Sequence, residues 1–327
     1  IEHLSTEQVA AISANAIPGM GLDTLTSLSD AQLAAISTGA ISRLTTDQIG
    51  ALSADQIGAF TSSQIASLKA VQISALGADY IANLSSSGIA GLSTAAIASL
   101  TTAQVAALST EQLSGLTTKQ VAALKSTQIE VIAVENIAAF SAEQITALST
   151  RSITGLTTGQ IDKLSTLQAE ALSSRQVKAL SSTQIAALGN DHIATFSTAD
   201  IAAITSATAA GLTTGMVAAL TEAQVASISA GTFARLTTEQ IDALSASQLG
   251  ALTSTQIASF TSTQVAALTA DDLKALPSSA LISLSGKAIS GLSTDLVSEL
   301  TPVQIAALST GAIAKLTTEQ IGALTTA

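Results

Sequence analysis

An apolar residue recurs at every eighth position from Leu4 to Leu324, and this period constrains the chain more than any other feature. All 41 of these positions are Leu, Ile, Phe or Met, with no insertion or deletion between them. Blocks such as LTTDQIGA, LSADQIGA and FTSSQIAS, which begin at residue 44, give the consensus. Position 2 is Ser or Thr in 34 of the 41 octads, position 5 is most often Gln, and position 6 is apolar. Self-similarity at a fixed period predicts a repeat architecture.

Two regular structures are incompatible with this spacing. In one continuous α-helix, at about 100° per residue, the apolar stripe would rotate by roughly 80° per octad and cover the whole surface. In a β-strand, gaps of five and three residues would send positions 1 and 6 to opposite faces. The chain is therefore predicted to form neither.

A series of very short helices accounts for each consensus position. Ser or Thr at position 2 is an N-cap, and Gln at position 5 is then N3 of a capping box. The apolar residues at positions 1 and 6 form a hydrophobic staple around that N-cap. Pro302 falls at N1, where its missing N–H costs nothing. The predicted caps include Ser5, Thr45, Ser53, Thr101, Ser109, Thr117, Thr237 and Thr317.

Helices of one and a half turns are unstable alone, since isolated helices need about 12 residues or more. Successive units must stack, which predicts an all-α solenoid, an elongated rod or superhelix with one capped helix per octad. Small residues at position 8 would let neighbouring backbones approach. The number of octads per turn and the handedness stay open. The predicted core includes Leu44, Ile49, Leu52, Ile57, Leu100, Val105, Leu108, Leu316 and Ile321.

No change of period interrupts residues 1–327, so one continuous array is expected, and its ends within octads suggest a segment of a longer chain. Pro277 departs from the cap consensus and is expected to shift its cap to Ser278. The net charge of −11 argues against nucleic-acid binding. Mean hydropathy is +0.50, yet polar residues interrupt the apolar ones in almost every octad, which argues against membrane insertion.

Residues able to support catalysis or bind a cofactor are sparse. Cys is absent, and His3 and His192 are far apart in sequence. The segment Asn190-Asp191-His192 is interpreted as a solvated turn rather than a metal site. Acidic residues at positions 3 and 4 are interpreted as favourable charges at helix N-termini rather than as calcium ligands. We predict no catalytic, cofactor-binding or metal-binding residue and therefore no enzyme.

The blocks LTTEQIGAL (316–324), LTTAQVAAL (100–108) and LSTEQLSGL (108–116) resemble arrays in very large secreted or surface proteins of proteobacteria, often labelled adhesins or haem-utilisation proteins. The resemblance spans the whole chain and implies export and a surface or matrix role. A haem role would need axial ligands, and His, Cys and Met are nearly absent.

Two functions remain open at the level of sequence. The first is a non-catalytic extracellular fibre or cell-surface stalk that assembles with further copies of itself, end to end or laterally. The alternative is a secreted solenoid whose regular Ser/Thr pairs, such as Thr45-Thr46, Thr101-Thr102 and Thr237-Thr238, present hydroxyls to ice or glycans. Capping already explains the first member of each pair, so only the second is free to bind.

Overall fold

A computed structural model describes residues 3–277 and 280–324. Contacts divide the chain into two compact units, unit 1 (1–164) and unit 2 (165–327). Within the described residues all regular structure is helical, which confirms the predicted fold class. The prediction for the cap at Ser278 lies outside the described residues.

The α-helices of unit 1 are Thr6–Ala10, Leu22–Thr26, Asp30–Ala35, Thr38–Ile41, Thr46–Ala51, Ala54–Gly58, Ser62–Ser67, Ala70–Ala75, Ala78–Ala82, Ser86–Gly91, Thr94–Ser99, Thr102–Ala106, Thr110–Ser114, Thr118–Ala123, Ser126–Glu130, Ala142–Ala147 and Thr158–Asp162. Its 3₁₀ helices are Ile17–Gly19, Val134–Ala139 and Ile153–Gly155.

The α-helices of unit 2 are Thr166–Glu170, Ser174–Ala179, Ser182–Ala187, Gly189–Thr195, Thr198–Ala203, Thr214–Ala219, Glu222–Ser227, Ala230–Phe233, Thr238–Asp242, Ala246–Gly250, Ser254–Ala258, Ser262–Ala266, Ala270–Ala275, Ala280–Ser283, Gly286–Ile289, Thr294–Ser298, Pro302–Ala307, Thr310–Ile313 and Thr318–Leu324. A 3₁₀ helix spans Ala209–Gly211.

Most octads restart their helix because positions 1 and 2 are held in extended backbone, an exception being the octad of Leu188 and Gly189. Thr45 caps Thr46–Ala51 with φ −72° and ψ 164°, and the helix ends where Leu52 returns to φ −66° and ψ 144°. The side-chain oxygen of Thr45 accepts from the Gln48 N–H, which would otherwise lack a partner at the helix start. Two extended residues between short helices therefore turn the chain once per octad.

Within each unit, a helix contacts the helix three octads later. Ala70–Ala75 contacts Thr94–Ser99 in unit 1, and Ser174–Ala179 contacts Thr198–Ala203 in unit 2. Hydrogen bonds between successive turns join residues 28 and 31 positions apart, such as Gln120 with Leu92 and Ile89. One turn of the solenoid therefore takes between three and four octads, the quantity that the sequence pattern left open.

The core of each unit lies where positions 1 and 6 of successive turns meet. Ile49, Leu52 and Ile57 are fully buried, and Leu44, Leu100, Val105 and Leu108 are also buried. Two predicted core residues are corrected by the structure: Leu316 is only half-buried, and Ile321 is 42% exposed.

Candidate functional site: the glutamine ladder

The side chain at position 5 is the polar group on which the architecture depends. All 22 glutamines of the chain occupy this position. In the octad 116–123, Gln120 Oε1 accepts from the Thr117 backbone N–H at 2.8 Å, and the Gln120 backbone N–H donates to Thr117 Oγ1 at 3.3 Å. This reciprocal pair is a capping box, and it satisfies two N–H groups at the helix start.

The other end of the same amide reaches the preceding turn. Gln120 Nε2 donates to the carbonyl oxygens of Ile89 and Leu92, both at 2.8 Å. Those residues lie 31 and 28 positions earlier, at the end of the helix below and just after it. Gln120 is only 2% exposed, so its amide is buried with its oxygen and its nitrogen both hydrogen-bonded. One side chain therefore links the start of one helix to the end of another.

We call this repeated arrangement the glutamine ladder: a position-5 Gln whose Nε2 donates to a backbone carbonyl 28 residues earlier, usually with a second at 31. In unit 1 its members are Gln32, Gln48, Gln56, Gln64, Gln72, Gln104, Gln112, Gln120, Gln128, Gln144 and Gln160. In unit 2 they include Gln224, Gln240, Gln248, Gln256, Gln264 and Gln320.

Shorter polar residues at position 5 make only part of this connection. Ser152 Oγ donates to Leu124 O at 2.5 Å, and Thr232 Oγ1 donates to Ile204 O at 2.9 Å. Asn136 Nδ2 contacts Leu108 O at 3.4 Å. Each acceptor is the carbonyl 28 residues earlier. A shorter side chain therefore preserves the register between turns with fewer hydrogen bonds.

The shortest helices occur only in octads whose position-5 residue is not Gln. Among the described residues, every octad with Gln forms an α-helix of at least five residues, whereas the 3₁₀ helices and the four-residue helices lie in octads that lack Gln. In three of these octads position 8 is Gly, and a Cβ built on Gly155, Gly211 or Gly291 would overlap a backbone carbonyl of the preceding turn. At these three octads the turns approach so closely that only glycine fits at position 8.

The predicted caps take up the geometry of a capping box. The side-chain oxygens of Ser5, Thr45, Ser53, Thr101, Ser109, Thr117, Thr237 and Thr317 all accept from the backbone N–H of the Gln three residues later. The same Gln side chain accepts from the cap N–H in each case. Caps and ladder are consequently one connected set of hydrogen bonds.

Titratable groups lie mainly on the solvent face. The carboxylates of Glu143, Glu239 and Glu319 accept from their own backbone N–H and from the neighbouring cap hydroxyl, which lowers their pKa below the ordinary value of 4.5. Among the described residues, His, Cys, Asp and Glu form no group of three or more able to hold a metal ion. His192 occupies position 5, and its Nδ1 is buried without a hydrogen-bond partner among the described groups.

Sequence reasoning missed the second role of Gln. It explained Gln as half of a capping box, a role that Glu fills equally well. The informative signal is that position 5 holds Gln in 22 octads and a carboxylate in only two, Asp200 and Asp272, although the chain has 23 Asp and Glu residues. A carboxylate has no N–H to donate, so a preference for the amide indicates acceptors on a neighbouring segment.

Comparison with protein families identifies the repeat. The family model described as ALTTAQ repeat matches residues 25–62, 81–118, 105–134, 170–198, 225–262, 233–270 and 297–327, which together span more than half of the chain. The chain belongs to the ALTTAQ repeat family. The matches in this ALTTAQ array overlap at 105–118 and 233–262, as expected where a short motif recurs without interruption.

No curated protein matches this ALTTAQ array. None of the described helices combines the length and the apolar character that crossing a membrane requires. The family match establishes a repeat protein, and the glutamine ladder gives the physical basis of its repeat.

Proposed function

We propose that this ALTTAQ array is a non-catalytic structural element, an extracellular fibre or the stalk of a cell-surface protein, that assembles with further copies of itself. The observation that carries the proposal is the glutamine ladder. Each member joins two turns through buried backbone acceptors, and the same register recurs in both units. Such repetition supports a mechanical role, because members of the ladder join one turn to the next by the same contacts at many points along both units.

The consensus polar side chains at positions 2 and 5 make hydrogen bonds within the fold. Position 2 caps a helix, and the buried Gln at position 5 bonds both a cap and the preceding turn. An active site needs unlike groups that converge, whereas a repeat array presents like groups at regular intervals. The groove beside Thr221, Glu222, Ser245 and Gln248 is lined by the same residue types as the rest of the array. These features favour a structural role over catalysis.

Electron microscopy of native material tests the proposal together with surface proteolysis of intact cells. The expected result is filaments or cell-attached rods that an antibody to the array decorates, with the array cleaved by protease added outside. Uniform long fibres would indicate self-assembly, and short attached rods would indicate a stalk. Material protected from external protease until the cells are lysed would contradict the extracellular placement.

A second candidate rests on exposed hydroxyls at position 3. Of the predicted free hydroxyls, Thr46 and Thr102 are exposed, whereas Thr238 is partly buried. The cap residues before them accept from the backbone N–H of the Gln three residues later. A repeated row of such groups could contact ice or glycans. Ice-growth inhibition or glycan binding that disappears when the exposed threonines are replaced by Val would support this function, and unchanged binding would exclude these hydroxyls as its source.

A further inference from the structure

Three consecutive octads in unit 1 have no Gln at position 5. They span residues 76–99, and their position-5 residues are Tyr80, Gly88 and Ala96. Three octads amount to most of one turn, given that hydrogen bonds between turns join residues 28 and 31 positions apart. Most of one layer of the solenoid therefore lacks the ladder on one side.

The register identifies the carbonyls that this layer leaves without an amide donor. The residues 28 positions before Tyr80, Gly88 and Ala96 are Leu52, Phe60 and Leu68. Tyr80, Gly88 and Ala96 have no side-chain amide, so they cannot donate to these carbonyls as Gln does. By contrast, the octads below are joined to their own predecessors by Gln48, Gln56, Gln64 and Gln72.

The opposite side of the same layer is fully fastened. Gln104 donates to Leu76 O at 2.7 Å, Gln112 to Leu84 O at 2.6 Å, and Gln120 to Leu92 O at 2.8 Å. Gln128 continues the ladder in the next octad by donating to Leu100 O at 2.9 Å. The gap in the ladder is thus confined to one interface, between residues 49–68 and residues 80–96, which we call the open seam.

Apolar packing holds the open seam together, and one polar contact lies just beyond its edge. Ile81, Ile89 and Ile97 are fully buried, and Ser99 Oγ donates to Ala70 O at 3.0 Å. A Cβ on Gly91 would lie 3.4 Å from Ser62 O, so the backbones are already close. The open seam therefore relies on apolar packing and lacks the buried amide hydrogen bonds that join the turns on either side of it.

We propose that the open seam is the layer at which unit 1 yields first under load or thermal fluctuation, a built-in point of extension. Once the seam separates, the helices of residues 76–99 lose their support on one side, and helices this short do not persist alone. Local opening in repeat arrays follows such differences between interfaces. The inference builds on the proposed mechanical role, but the opening itself is a property of the isolated chain.

Hydrogen exchange on the full chain, read out by mass spectrometry, tests the seam. Amides of residues 76–99 are expected to exchange faster than those of 112–128, whose turn carries the ladder. The double variant Gly88→Gln plus Ala96→Gln supplies amides opposite Phe60 and Leu68, and two added interfacial bonds of ordinary strength should slow exchange of residues 76–99 by about tenfold.

A matched control places the same two side chains one position earlier. Ser87→Gln plus Ala95→Gln adds identical amides at exposed residues, where they cannot reach the preceding turn. This control should leave exchange of residues 76–99 unchanged. Equal slowing by both double variants would overturn the proposal, as would equal exchange of residues 76–99 and 112–128 in the natural chain.

The reverse substitution covers the case in which added Gln side chains prevent folding. Gln112→Ala plus Gln120→Ala should open a second seam, with exchange of residues 112–123 accelerated about tenfold or more. No acceleration there would contradict the ladder as the determinant of opening. Microscopy and surface proteolysis test the proposed function separately from the seam. An array that is found inside the cell but whose residues 76–99 exchange fast would contradict the proposed function and support the open seam.

Discussion

The side-chain amide of Gln120 donates a 2.8 Å hydrogen bond to the carbonyl oxygen of Ile89, which lies 31 residues earlier and one turn below. Its oxygen meanwhile accepts from the N–H of Thr117 in its own helix. A single buried side chain therefore couples the restart of a helix to the stacking of turns. Five consequences can be measured.

Replacing Gln120 with Glu should be more damaging than a capping box alone would suggest. Glu can accept from Thr117 N, but its carboxylate would face the carbonyl oxygens of Ile89 and Leu92 with no hydrogen to donate. The free energy of unfolding is expected to fall by about 2–4 kcal/mol, because the buried carbonyls of Ile89 and Leu92 would lose their hydrogen-bond donor. Urea denaturation measures it, and Lys119→Gln, at an exposed neighbour, should change stability by less than about 0.5 kcal/mol.

Removing the cap hydroxyl by Thr117→Ala should destabilise the chain by about 1 kcal/mol, because the Gln120 N–H then loses its acceptor. Thr117→Ser keeps that acceptor and should restore most of the loss. Thr118→Ala at the exposed first helical position is the control, with an expected effect within about 0.5 kcal/mol. Thermal or urea unfolding distinguishes these outcomes, and equal losses for Thr117→Ala and Thr118→Ala would refute the capping role.

Two glycines should respond to Ala substitution in opposite directions. A Cβ on Gly155 would overlap the Ser126 carbonyl, so Gly155→Ala should force the turns apart and cost about 1–3 kcal/mol. Gly39 lies inside Thr38–Ile41 with no heavy atom within 4 Å of the added Cβ, so Gly39→Ala should be neutral or stabilise by up to about 1 kcal/mol. Comparison of the two unfolding midpoints checks the close approach at position 8.

The cost of truncating an isoleucine at position 6 should follow the burial of its side chain. Ile97 is fully buried, so Ile97→Ala should cost about 2–5 kcal/mol through lost burial and the cavity left behind. Ile321 is 42% exposed, and Ile321→Ala should cost less than half as much. Both substitutions are made in the full chain and measured by urea denaturation. Similar costs at the two positions would mean that Ile321 is covered in solution.

Acidification should weaken the fold through the carboxylates at helix starts. The pKa values of Glu143, Glu239 and Glu319 are lowered by hydrogen bonds from their own backbone N–H and from a cap hydroxyl. A lowered folded-state pKa means that this stabilisation is present above the ordinary value of 4.5 and is lost as pH falls through the folded-state value. The triple variant with Gln at these positions should unfold with a shallower pH dependence below 4.5 and an unchanged one near neutrality. If the stability of the two proteins fell in the same way with decreasing pH, these three carboxylates would not be the cause of the acid destabilisation.

The sequence predicted the capping box of the candidate site but not its hydrogen bonds to the preceding turn. Thr117 and Gln120 are three residues apart, so their capping box follows from local geometry alone. The bonds from Gln120 to Ile89 and Leu92 depend on how many residues complete a turn, which no local pattern specifies.

The sequence by itself determined that most octads form a short capped helix, that positions 1 and 6 are apolar, and that the chain folds as an all-α solenoid. Those properties arise from interactions within one octad, such as Thr45 with Gln48. Only the tertiary structure decided that a turn takes between three and four octads and that Gln joins successive turns. The physical reason is that the turn depends on the small rotation accumulated from one helix to the next, which is set by packing across residues about 30 positions apart.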